Sequence, residues 1–192
     1  MRTVLFVPGF KESIESRDYL KILQAIDAKG YKTKFVAIKW LGNTVFDWVN
    51  EFEESYRKYE PEDIVLAGFS YGAIVALLTA SRRNPSELWL FSLSARFHED
   101  FPNLDKLTLK TMAKSKRRLK AFKSLYFSDL SSNIKCRTVI FIGEKESEND
   151  PALMQRAKEA NKRILGSKLI YIPKAPHDIS DTNYVAVVKK YI

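Results

Sequence analysis

Short, uninterrupted apolar runs rich in β-branched residues alternate with stretches of helical periodicity, and this rhythm restricts the fold more than any other feature of the sequence. Residues 3–7 (TVLFV), 33–38, 63–67 (DIVLA), 88–93, 137–142 and 168–172 read as six strands. The intervening segments read as helices. Residues 14–29 place Tyr19, Leu20, Leu23 and Ile26 on one face, with Gly30 at the stop position. Val45, Trp48, Val49, Phe52, Tyr56 and Tyr59 recur at spacings of three and four, with Asn43 or Thr44 as cap and Pro61 at the close. Residues 70–83 are apolar nearly all round through Ile74, Val75, Ala76, Leu77 and Leu78, the signature of a buried helix. Asp150-Pro151 opens another helix, and residues 179–192 form the last. Strands that are apolar on both faces and separated by helices predict an α/β architecture, a parallel sheet covered on both sides.

A chain of 192 residues, 45% of them hydrophobic, is sized for one core, so residues 1–192 are expected to form a single domain. The rhythm breaks once. Residues 95–134, after the fourth strand, are too many for a simple crossover; within them Met112, Leu119, Phe122 and Leu125/Tyr126 fall on one helical face. The same stretch holds much of the net charge of +9: eight Lys/Arg and no acid between 106 and 123. A solvated helix face is the expected reading, an anionic substrate or peripheral contact with an anionic membrane surface are the alternatives, and nucleic acid is not the expected partner. No apolar run nears the roughly 20 residues of a membrane span, and residues 4–7 are too short for a signal peptide. The single cysteine, Cys136, reads as a small buried hydrophobe, and its solitude predicts a reducing, cytoplasmic location.

The motif that carries chemistry is Gly68-Phe69-Ser70-Tyr71-Gly72, a G-x-S-x-G between a predicted strand and a predicted helix. Such a turn lifts the serine hydroxyl clear of the sheet, and the flanking glycines let strand and helix approach. A serine hydroxyl is a weak nucleophile and needs a base. The chain has two histidines, His98 after the fourth strand and His177 after the sixth. The order Ser…acid…His favours His177, leaving His98 as a surface or pocket residue. The acid that would orient the imidazole belongs after the fifth strand. Glu144, Glu146, Glu148 and Asp150 compete there. Glu146 is preferred, Asp150 and Glu148 follow, with Asp150 explained equally well as a helix cap, and Asp100 is an outside candidate. Two backbone amides are expected to form an oxyanion hole: Tyr71, next after the serine, and Phe10, in the Val7-Pro8-Gly9-Phe10 turn after the first strand.

Taken together, Leu5-Phe6-Val7-Pro8-Gly9-Phe10, the Ser70 pentapeptide, Phe141-Ile142-Gly143-Glu144-Lys145-Glu146 and Pro176-His177 resemble the α/β-hydrolase superfamily, in the family order and across nearly the whole chain. Within it the chain is similar to the very small serine hydrolases of the RBBP9/YdeN type, which also carry a V-P-G turn. It departs from the common pattern in having Pro8-Gly9 where His-Gly is usual and in offering Glu146 where Asp is usual. The resemblance implies a minimal six-stranded parallel sheet lacking the two leading antiparallel strands, with a small cap within residues 95–134. It also implies a serine hydrolase acting on carboxylic esters or thioesters through Ser70, His177 and Glu146, with neither cofactor nor metal. The competing expectation is a non-catalytic binding or scaffold protein on the same fold, using the basic segment 106–123. Substrate identity and oligomeric state are not readable from the sequence.

Overall fold

The computed structural model describes residues 1–16 and 19–192. Among them are six strands: β1 (Thr3–Val7), β2 (Lys32–Phe35), β3 (Ile64–Phe69), β4 (Glu87–Phe91), β5 (Arg137–Gly143) and β6 (Lys168–Ile172). They form a sheet in the order β2-β1-β3-β4-β5-β6, every neighbouring pair parallel. The six-stranded parallel sheet expected from the sequence is the one observed. The inner strands β1, β3 and β4 are buried along their full length, which is why they lack polar alternation. The edge strand β2 (KTKF) is partly exposed and carries Lys32 and Lys34, charges that discourage pairing with a further strand.

Alternate strand residues feed two separate cores. Leu5, Val7, Leu66, Leu88, Leu90, Ile140 and Ile142 pack under α2 (Val45–Tyr56), α3 (Tyr71–Arg83) and α8 (Pro151–Arg163). Phe6, Phe69, Trp89, Phe91 and Phe141 pack on the other side under α1 (Tyr19–Asp27) and α9 (Thr182–Tyr191). Ala67 between β1 and β4 is small enough for the Phe6 and Phe91 rings to approach to 5.9 Å across it. Phe91 and Phe141 stack beside them at 4.9 Å.

Several boundaries differ from expectation. The helix over 14–29 is α1 from Tyr19; Arg17 and Asp18 of that range lie outside the described residues. Its buried stripe is Tyr19, Ile22, Leu23 and Ile26, and Leu20, one residue round the helix from Tyr19, is 52% exposed. β2 stops at Phe35 because β1, the strand it pairs with, ends beside it. β4 stops at Phe91 because Ser92 takes a positive φ of 50°. α9 begins at Thr182 because Asp181 caps it, accepting from the Asn183 and Tyr184 amides. Thr44 caps α2 in a reciprocal box with Asp47.

Residues 95–134 hold a 3-10 turn (His98–Asn103), α4 (Lys106–Ala113), α5 (Lys116–Lys123) and α6 (Phe127–Ser132). The single helical face expected from Met112 to Tyr126 is therefore divided. Ser115 ends the first run and caps the second, Phe122 is fully buried, and Tyr126 is exposed. The segment is anchored by a buried pair, Asp100 with Arg156 of α8; the Arg156 guanidinium lies 4.4 Å from the Phe127 ring centroid.

The topology creates the site. The chain leaves β1 on one side to make β2 and returns on the other to make β3, so loops diverge at the C-terminal ends of β1 and β3. A crevice of that kind is where ligands bind in open parallel sheets.

Candidate active site

Ser70 is the whole connection between β3 and α3. Its backbone sits at φ 56°, ψ −117°, a region L-residues avoid, and its amide is tied to the Phe91 carbonyl at 2.9 Å. The flanking glycines are demanded by contact. A Cβ on Gly68 would collide with the backbone of Gly72, and a Cβ on Gly72 with the carbonyls of Val7 and Pro8. The start of α3 is thereby pressed against the turn after β1.

His177 follows β6, with its Nε2 3.2 Å from Ser70 Oγ and its Nδ1 2.7 Å from Glu146 Oε2. A carboxylate oxygen accepts, so Nδ1 carries the proton and Nε2 turns its lone pair toward the serine hydroxyl. The imidazole lies against the Phe69 ring, centroids 4.8 Å apart. Glu146 opens the short helix α7 (Glu146–Asn149) directly after β5 and is 1% exposed. Its charge is satisfied by three donors, since Oε1 also accepts from the Gly143 amide at 2.7 Å and from Ser92 Oγ at 2.6 Å.

The structure thus brings Ser70, His177 and Glu146 into one hydrogen-bonded line and leaves the other candidates off it. Asp150 caps α8 through the Ala152 amide and lies 3.8 Å from Arg96. Glu148 is exposed. Asp100 is locked to Arg156 and to the Phe97 amide; burial raises its carboxyl above the ordinary value, against the pull of Arg156. His98 is exposed, with Nδ1 on the Lys123 carbonyl and its ring stacked on Tyr126. Cys136 is partly buried, and burial raises its thiol.

The Tyr71 amide is the first of α3 and has no acceptor within the helix. No hydrogen bond among the described residues engages the Phe10 amide. The preceding Gly9 amide is held instead, by Glu12 Oε2 at 3.1 Å and Tyr19 Oη at 2.9 Å, which fixes the turn. The Phe10 and Tyr71 rings lie 5.2 Å apart. Trp40, Trp48 and Phe122 close an aromatic wall around them. Among the described residues three cations border this wall. Lys11 Nζ lies 5.5 Å from the Phe10 centroid, Arg118 of α5 lies 5.0 Å from it, and Arg96 donates to Tyr71 Oη at 3.2 Å.

Sequence reasoning missed four polar residues here: Ser92, Ser94, Arg96 and Tyr184. Ser94 Oγ is 3.1 Å from Ser70 Oγ, and Tyr184 Oη is 2.8 Å from Ser92 Oγ. The first three follow the C-terminal end of β4, where the crevice rule would have directed attention. Tyr184 stands in the apolar stripe of α9 with Val188, and by pattern reads as core.

The sequence matches no protein-family model and no curated protein. Solved structures do match. Est1E from Butyrivibrio proteoclasticus, with ferulic acid bound, superposes with a TM-score of 0.81 at 17% identity, over 99% of this chain and 86% of that one. An esterase from Exiguobacterium antarcticum gives 0.73 at 14% identity, over 100% and 91%. The thioesterase domain from the curacin biosynthetic pathway gives 0.70 at 13%, over 98% and 90%. Among the described residues no helix is long and apolar enough to cross a membrane. With its parallel six-stranded sheet, its strained serine turn between β3 and α3 and these superpositions, the chain has the α/β-hydrolase fold.

Proposed function

We propose that this protein is a serine hydrolase that cleaves carboxylic esters or thioesters through an acyl-enzyme on Ser70. The observation that carries the reading is the line Ser70–His177–Glu146, with contacts of 3.2 and 2.7 Å assembled from three loops at the same end of the sheet. Ser70 Oγ attacks the carbonyl carbon while His177 Nε2 takes its proton. Glu146 holds the imidazolium, and the Phe10 and Tyr71 amides receive the developing oxyanion. As the tetrahedral adduct collapses, the bond to the alkoxide or thiolate breaks and Nε2 returns the proton to that leaving group. Water then attacks the acyl carbonyl, gives its proton to Nε2, and the carboxylic acid departs as Ser70 recovers its hydrogen. Residues 95–134 act in this reading as a small cap on a single domain, supported by Phe122 against Tyr71 and Arg118 over Phe10. The likeness to the RBBP9/YdeN-type enzymes and a cytoplasmic location belong to the same proposal.

The test is hydrolysis of p-nitrophenyl acetate, p-nitrophenyl butyrate, a feruloyl ester and an acyl thioester. Ser70→Ala and His177→Ala are each expected to lower kcat by about 10³-fold or more, and Glu146→Gln by about 10²-fold or more. Asp150→Asn, which keeps the helix cap, stays within about threefold of wild type. Hydrolysis that survives Ser70→Ala at the wild-type rate contradicts the proposal.

A further inference from the structure

Glu146 is held by more than the histidine needs. Its Oε1 accepts the Ser92 hydroxyl at 2.6 Å, and Ser92 in turn meets the Tyr184 hydroxyl at 2.8 Å, all three residues being buried. Ser92 has one proton to give. A carboxylate offers only lone pairs, so that proton goes to Glu146 and Tyr184 must donate to Ser92. Burial, and after it the nearby Glu146 charge, raise the phenol well above its ordinary value of 10.0, so it remains a donor. The chain runs one way, Tyr184 to Ser92 to Glu146, across separations of 92 and 54 residues. It is kept at the cost of a positive φ of 50° at Ser92, a conformation that a serine reaches only under constraint. Apolar side chains would fill this space without the burden of satisfying buried polar atoms, so a fully paired network here calls for a role.

We propose that Ser92 and Tyr184 are positioning residues for the reaction: they pin the Glu146 carboxylate so that Oε2 alone faces His177 and the imidazole keeps Nε2 toward Ser70. This rests on the hydrolytic reading above and adds to it two residues that touch neither substrate nor nucleophile. Without the Ser92 hydroxyl, Oε1 retains only the Gly143 amide, and the carboxylate is freer to turn about its Cγ–Cδ bond.

The experiment uses the full chain with ¹⁵N-labelled histidine and the variants Ser92→Ala, Tyr184→Phe and both together. Two measurements are made: the kinetics of p-nitrophenyl acetate hydrolysis, giving kcat and KM, and the downfield proton resonance of His177 Nδ1–H. The His98 Nδ1–H, bonded to the Lys123 carbonyl at 2.8 Å, serves as internal reference. Ser92→Ala is expected to lower kcat about tenfold and Tyr184→Phe about threefold, each with KM within about twofold of wild type. Because Tyr184 acts through Ser92, the double variant is no slower than Ser92→Ala alone. The His177 resonance moves or broadens in each variant while that of His98 stays. An unchanged kcat with an unchanged His177 resonance overturns the proposal, as does a Tyr184→Phe effect of equal size in both backgrounds. Should Ser92→Ala fail to fold, Tyr184→Phe keeps the ring and decides by itself. A wild type that hydrolyses nothing defeats the hydrolytic reading, and the resonance still reports on the network.

Discussion

Gly72 is where one added methyl group would do the most damage. Alanine is the better helix former by about 1 kcal/mol, yet here its Cβ would enter the carbonyls of Val7 and Pro8, backbone atoms that cannot swing aside. Gly72→Ala is therefore expected to destabilise the fold by about 2 kcal/mol net and to slow hydrolysis, because relief requires α3 to withdraw from the turn that carries Phe10. Urea unfolding alongside ester turnover checks both; a more stable variant with full activity contradicts the account. The same residues show what a sequence discloses. The glycines, Ser70 and His177 were legible because the elbow has a fixed spacing and the chain offers few histidines. Glu146 was harder to separate from Asp150 and Glu148, since the choice depends on how the backbone turns after Gly143. Ser92 stands where a strand end draws attention, but Tyr184 was out of reach, because it sits in an apolar helical stripe and its contact with Ser92 spans 92 residues.

At the scale of elements, the strands were plain in the sequence and the segment after β4 was not. Continuous apolar runs have one use, a doubly covered sheet, whereas short amphipathic helices are defined by what they rest on. Ser115 ends one helix and caps the next, so the apolar stripe from Met112 to Phe122 changes direction. What holds the segment is electrostatic as well as apolar. Arg156 and Asp100 form a buried pair, and removing one partner leaves the other charge stranded. Arg156→Met should cost about 3–5 kcal/mol, with part recovered by adding Asp100→Asn, as measured by urea unfolding. A loss within about 0.5 kcal/mol would mean that the pair anchors nothing. Glu99 supplies a second anchor by accepting from the Phe127 and Ser128 amides at the start of α6. Burial is the largest single influence and works against its ionisation, but those two amides, with its own amide and the charge of Arg156, together hold the carboxyl below the ordinary 4.5. A lowered carboxyl stabilises the fold above its unfolded value, and that stability is lost as pH falls through the folded one. Glu99→Gln should therefore flatten the decline in melting temperature between about pH 6 and about pH 3. An unaltered pH dependence would remove Glu99 from the account.

For the molecule as a whole, one arrangement explains both stability and chemistry. Two aromatic-rich cores sandwich the sheet, and the switch between β1 and β3 gathers the loops bearing Phe10 and Ser70, while those of Glu146 and His177 reach the same end from β5 and β6. The net charge of +9 sits apart from this logic. Lys106, Lys110, Lys114, Lys116, Arg117, Lys120 and Lys123 all face solvent. A face of this kind attracts anionic surfaces by charge alone, so co-sedimentation with anionic vesicles is expected at about 0.02 M salt and not at about 0.15 M. Binding that persists at the higher salt would point to a surface-binding role for residues 106–123.

The proposed hydrolysis depends on activation of Ser70 by His177. Labelling with a fluorophosphonate probe, followed by mapping of the modified peptide by mass spectrometry, reads that activation out. Wild type should carry one adduct, on Ser70, while Ser70→Ala carries none and folded His177→Ala at most about a thousandth of the wild-type rate. A folded wild type that does not label, or an adduct on another residue, would contradict it.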